Sequence, residues 1–93
     1  MLPEEQTLIL ARLHSADGHL GSVIGMVENE QNCIKVLHQL YAVQAALHAC
    51  GRLLLYYQVQ QSLETACYNT CPEKRSAEIK RLVDLYRYYL IFT

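Results

Sequence analysis

Residues 31–67 form an uninterrupted stretch without proline and with one glycine, Gly51, and they constrain the fold more than any other feature. Their apolar side chains fall on two helical stripes. Cys33, Leu37, Leu40, Leu47 and Leu54 lie on one seam at spacings of three, four and seven. Val36, Val43, Cys50 and Tyr57 lie on a second seam, every seven residues. A helix that is apolar on two sides is not satisfied by one partner helix. The stretch therefore reads as one continuous helix, ~55 Å long at ~1.5 Å rise per residue, at the centre of a homo-oligomer.

The flanks read as two further helices. Pro3 suits a first helical turn, and Glu4 and Glu5 suit its positive end. Ile9, Leu13, Ala16, Leu20, Val23 and Val27 recur at helical steps, which predicts a helix over about 3–29. Gly18, Gly21 and Gly25 inside it each cost about 1 kcal/mol relative to alanine. Either something approaches closely there, or the helix is weak and bent. The polar run Glu28-Asn29-Glu30-Gln31-Asn32 predicts a turn before the central helix, about 31–67. Thr70 with Glu73 fits a capping box, and Pro72 suits a first turn. A third helix is expected over about 71–91, with Ile79, Leu82, Val83, Tyr86 and Leu90 on one face and an apolar tail, Tyr88 to Thr93, packed on a neighbour. The expected organisation is one all-α domain, 1–93, without repeat or linker.

Composition bears on partners. The chain is 52% hydrophobic and 18% charged, with more apolar residues than 93 residues bury alone. Net charge is −1, unevenly spread. Residues 1–30 carry Glu4, Glu5, Asp17, Glu28 and Glu30 against Arg12, a net of −4. Residues 71–93 carry Lys74, Arg75, Lys80, Arg81 and Arg87 against Glu73, Glu78 and Asp84, a net of +2. No apolar run reaches the ~18 residues that a membrane span needs. The acidic start is unlike a secretory leader. The expected location is the cytoplasm, where the four cysteines are thiols or metal ligands. No phosphate loop, carboxylate cleft or nucleophile elbow points to an enzyme.

The segment Arg12-Leu13, Gly18-His19, Met26, Glu28 and then Cys33-Ile34-x-Val36-Leu37-x-Gln39-Leu40-x-Ala42-Val43-Gln44-Ala45-Ala46-Leu47 resembles a known family. It is similar to the small all-helical repressors that sense copper, nickel/cobalt or formaldehyde (the CsoR/RcnR type). The likeness runs from about residue 8 to 63, and the third helix resembles one that some members carry. It implies three helices, an antiparallel dimer paired through the long helix, a tetramer, and DNA release when an effector binds.

Two sets of residues depart from the family's pattern. Members read Arg-Leu-Arg-Arg-Ile-Glu-Gly-Gln where this chain keeps Arg12 and Gly18 but has His14 and Ser15. Since DNA affinity rests on phosphate neutralisation, the acidic first helix implies weak DNA binding. Arg12, Lys74 and Arg75 remain as DNA-contact candidates. In metal-sensing members a cysteine is joined, from the partner subunit, by a histidine 25 residues on and a cysteine 29 residues on. Cys33 matches the first, but Gln58 and Ser62 stand at the other two. Amide and hydroxyl groups are poor ligands for Cu(I) or nickel, so the resemblance gives an effector site of Cys33, Gln58 and Ser62 with its usual metal chemistry lost. Persulfide sensing would need a thiol at position 62. Formaldehyde chemistry would need an N-terminal proline nearer the terminus than Pro3.

Other residues offer alternatives. Cys67 and Cys71, four apart across the second turn, are candidates for a new thiol or metal site; the plainer reading is two structural cysteines. Cys50 reads as a small core residue. His14 and His19 are alternative cofactor ligands, for iron or haem at a subunit junction, with the helix 1 glycines leaving room for a flat group. Under that reading the scaffold is a cofactor sensor or carrier that does not bind DNA. Its plain counterpart is a set of surface histidines and packing tyrosines.

Overall fold

The computed structural model describes residues 1–90 and holds three helices in chain order: α1 (Pro3–Glu28), α2 (Cys33–Tyr68) and α3 (Pro72–Leu90). The all-α reading is correct. Residues 91–93, with the expected end of the third helix and half of the apolar tail, lie outside the described residues. The chain divides into two compact units, Met1–Leu54 and Leu55–Thr93. No helix among the described residues is long and apolar enough to cross a membrane.

Local chemistry sets the helix ends. Pro3 opens α1, and the Glu5 carboxylate accepts a hydrogen bond from the Leu2 N–H at 3.1 Å. The glutamate thereby satisfies a donor outside the helix and places negative charge at its positive end. At the other end, the Glu30 N–H donates to the Val27 carbonyl (3.1 Å) and the Gln31 N–H to the Met26 carbonyl (3.0 Å). This crossed pair is a Schellman motif. Its left-handed position is Glu30, at φ 54°, where glycine or asparagine is usual. The Asn32 side chain then caps α2 by accepting from the Ile34 N–H at 2.8 Å. At α3 the expected capping box of Thr70 and Glu73 does not form. The Asn69 side chain accepts from the Cys71 N–H at 2.9 Å instead, and Cys71 takes the cap position before Pro72. The asparagine reaches two residues on and organises the turn first.

In the unit Met1–Leu54, α1 buries Ile9, Ala16 and Val23, and α2 buries Val43 and Cys50. Each set repeats every seven residues, which holds one stripe of each helix inside. The second seam of α2 is thus the inner one, with Val36 half-buried at its start. The first seam stays open: Leu37 is 42% exposed, Leu47 45% and Leu54 36%. Leu10, Leu13, Leu20 and Ile24 of α1 are also exposed. A Cβ built on Gly18, Gly21 or Gly25 meets nothing within 4 Å. No close approach within the described chain accounts for these glycines.

In the unit from Leu55, the second part of α2 turns Leu55, Gln58, Ser62, Thr65 and Ala66 inward to differing degrees, and α3 turns in Glu78, Leu82 and Leu85. Among the described residues there, only Ser62 is fully buried. On α3, Ile79, Val83 and Tyr86 remain exposed, and the rings of Tyr88 and Tyr89 meet edge-on at 5.0 Å.

Candidate functional site

The first candidate set divides between the two units. Cys33 is exposed and is the first residue of α2, just after the Asn32 cap. Gln58 and Ser62 lie one helical turn apart in the second unit, and the Gln58 amide donates to the Ser62 hydroxyl at 3.0 Å. Ser62 is 1% exposed, and its hydroxyl oxygen is satisfied by that bond. The structure therefore brings Gln58 and Ser62 together as a neutral polar pair. Neither group is a soft donor, and a hydroxyl already committed to an amide does not suit Cu(I) or nickel. As side chains of one protomer, this pair does not fit the metal that the family pattern implies.

The other candidates are more dispersed. Cys67 is exposed in the last turn of α2, and Cys71 is half-buried at the cap of α3. Both are free thiols, as are Cys33 and the buried Cys50. No three of histidine, cysteine, aspartate or glutamate converge as a metal site among the described residues of one chain. His14 is exposed on α1, while His19 is half-exposed and its Nε2 lies 2.7 Å from the Gln39 Oε1. With the amide oxygen accepting, Nε2 is the donor in this contact. The structure does not join His14 to this pair.

Gln39 was not among the candidates, although the sequence held a signal for it. His19 stands four residues before Val23, and Gln39 four before Val43, so both flank buried seam positions on their helices. Polar residues at such flanking positions are placed to meet across a helix pair.

Arg12, Lys74 and Arg75 are all exposed. On α3, Arg81 pairs with Glu78 at 3.4 Å. Such a surface pair is worth only about 0–1 kcal/mol, but it places an acid inside the basic stretch of that helix.

Residues 5–87 match the family described as metal-sensitive transcriptional repressors. The chain belongs to that family. It is 30% identical over 87 residues to the copper-sensing transcriptional repressor CsoR of Mycobacterium ulcerans, an alignment covering 94% of this chain and 72% of that protein. The CsoR of Mycobacterium bovis is 28% identical over 94% of this chain and 71% of its own length. Among solved structures, a variant (E64H) of the formaldehyde-responsive regulator FrmR from Salmonella enterica serovar Typhimurium has the same fold. Its TM-score is 0.79 at 23% identity, over 95% of this chain and 97% of that one. The metal-sensitive repressor family is one of transcriptional regulators, not of enzymes.

Proposed function

We propose that the protein is a cytoplasmic, effector-responsive transcriptional regulator of the metal-sensitive repressor family. It works as a homo-oligomer, an antiparallel dimer that assembles into a tetramer, and its copper or nickel chemistry has been replaced. The Gln58–Ser62 hydrogen bond carries this reading, because it puts a neutral, satisfied pair where the family pattern has a histidine and a cysteine. Cys33 of a partner would meet that pair, so the effector is one held by a single thiol and neutral hydrogen-bonding groups. The open seam of Leu37, Leu47 and Leu54 supports a second copy along α2, since burying such side chains is worth about 1.5–3 kcal/mol each. On α1, the acidic residues around Arg12 weaken DNA contact by that helix.

Titration with Cu(I) against a competing chelator, with duplex DNA from upstream of the gene present, tests the reading. Native protein is expected to bind the duplex in a salt-dependent way and to keep it when copper is added. The double substitution Gln58→His/Ser62→Cys is expected to gain tight Cu(I) binding that depends on Cys33. Tight copper binding by native protein, abolished by Cys33→Ala, would sink the proposal.

The second reading, a cofactor sensor or carrier without DNA binding, draws on His19. Its proton is held toward Gln39, the arrangement that orients a ligating imidazole. An absorbance spectrum of the protein as isolated, with a Soret band or without one, decides for or against it.

A further inference from the structure

One side of α3 is hollowed, and the regulator reading makes no use of it. A groove of about 510 Å³ runs along Ala77, Lys80, Arg81 and Asp84 and continues past Leu85 to Tyr88 and Tyr89. That volume lies in the range of about 300–1,000 Å³ that small-molecule sites occupy. The hollow follows from the sequence. Ala77, Arg81, Asp84 and Tyr88 recur at steps of four, three and four, so they share one side of the helix. Ala77 and Asp84 are short, whereas Lys80, Arg81 and Tyr88 are long, and the short positions leave the space between the long ones.

The lining combines three kinds of group. The rings of Tyr88 and Tyr89 meet edge-on at 5.0 Å and give an aromatic wall, and Leu85 adds a half-buried apolar surface. Lys80 is exposed and makes no ion pair among the described residues. Arg81 spends one guanidinium nitrogen on Glu78, at 3.4 Å, and keeps the donors of the others. Asp84, four residues from Lys80 and three from Arg81, lines the same groove. Two cations against one carboxylate leave the lining with a net charge of +1. Such a lining favours one negative charge on a ligand; a second would lie against Asp84 and be repelled.

We propose that this groove on α3 binds a planar aromatic molecule with a single negative charge, an aromatic monocarboxylate by chemical class. Its ring lies against the tyrosine pair and Leu85, where edge-on and offset ring contacts add to the burial of apolar area. Its carboxylate meets the Lys80 ammonium and the unengaged part of the Arg81 guanidinium, whose planar fork matches carboxylate geometry. The site is separate from the Gln58–Ser62 pair, and it stands whether or not the protein regulates transcription.

Titration of the full chain into 2-naphthoate tests it, followed by the anisotropy of the probe's own fluorescence; the chain has no tryptophan to interfere. Naphthalene-2-carboxamide, which is neutral, and naphthalene-2,6-dicarboxylate, a dianion, serve as comparisons. For so open a groove the expected dissociation constant for 2-naphthoate is on the order of 0.1–1 mM, with both comparison probes weaker. Lys80→Gln is expected to weaken 2-naphthoate about fivefold and to leave the carboxamide unchanged. Asp84→Asn is expected to strengthen the dicarboxylate by a similar factor, about fivefold. Ala77→Leu fills the hollow without altering charge and is expected to remove binding of all three, with helicity and oligomeric mass unchanged. No binding of 2-naphthoate at 5 mM, roughly five times the upper end of that range, would overturn the proposal. So would equal affinity for the carboxamide, or full binding in Ala77→Leu. A change of oligomeric mass in Ala77→Leu would overturn it as well, since the groove would then be a contact between subunits.

Discussion

The two parts of α2 keep their interiors in opposite ways. Before Leu54 the helix buries Val43 and Cys50, seven residues apart, against a partner helix that buries Ile9, Ala16 and Val23 at the same interval. Beyond Leu54 its fully buried residue is Ser62, with Gln58 bonded to it. The buried residues of the first interior are all apolar, and their packing needs no matched partner atom. The second contains a hydroxyl that is tolerated because an amide satisfies it; a buried polar group left unpaired costs about 1–3 kcal/mol. An apolar seam can be repacked with many side chains. A buried polar pair is tolerated only while its hydrogen bond is made.

The largest effect separates the two parts most sharply. Val43→Asp places an unpaired carboxylate in the first interior and is expected to cost more than about 3 kcal/mol. Thermal unfolding followed by circular dichroism checks it, with loss of cooperative melting as the expected outcome. Retention of the native melting temperature would mean that the seam is not a packed interior. Ser62→Ala probes the second part and is expected to cost only about 1 kcal/mol. Gln58 is half-buried, and water can replace its lost acceptor. A cost near that of Val43→Asp would show that the polar pair supports much more than one hydrogen bond.

This contrast also explains what was legible in the sequence. Apolar residues every seven positions point the same way along a helix whatever the neighbours are, so the two seams of α2 and the three helices could be read directly. The inner seam, Val36, Val43 and Cys50, and the open one, Leu37, Leu47 and Leu54, are the stripes that periodicity separates. Which stripe α1 would cover was not legible, because both are apolar. The cap of α3 was misread because Thr70 and Glu73 have the right spacing, while Asn69, one residue earlier, reaches the Cys71 N–H first. In the candidate site, residue identities at 33, 58 and 62 were legible through family spacing. The bond between Gln58 and Ser62 is a matter of rotamers, which spacing does not encode, and the same holds for His19 and Gln39.

Between these extremes lie the caps. Asn32→Ala removes the acceptor of the Ile34 N–H at the start of α2 and is expected to cost about 1 kcal/mol. Because Cys33 follows directly, the loss is expected to fray the turn that presents its thiol and to speed amide exchange at Ile34 and Lys35. Unchanged exchange would mean that water or another side chain replaces the cap without loss.

The smallest effect has the opposite sign. Glu30 occupies the left-handed position of the α1 terminus at φ 54°, where a Cβ crowds the backbone. Glycine has no such penalty, and it is the usual residue at that place in a Schellman motif. Glu30→Gly also loses one acidic charge from a segment crowded with them. Against this, glycine frees the unfolded chain and gives back part of the gain. The net expectation is a stabilisation of about 0.5–1 kcal/mol, visible as a raised midpoint in urea with an unchanged slope. Since the gain acts on the α1–α2 turn, it should rescue part of the loss in Asn32→Ala when the two are combined and leave Ser62→Ala merely additive. Coupling of Glu30→Gly to Ser62→Ala instead would mean that the two parts of α2 do not melt as separate packings, and the contrast drawn between them would fail.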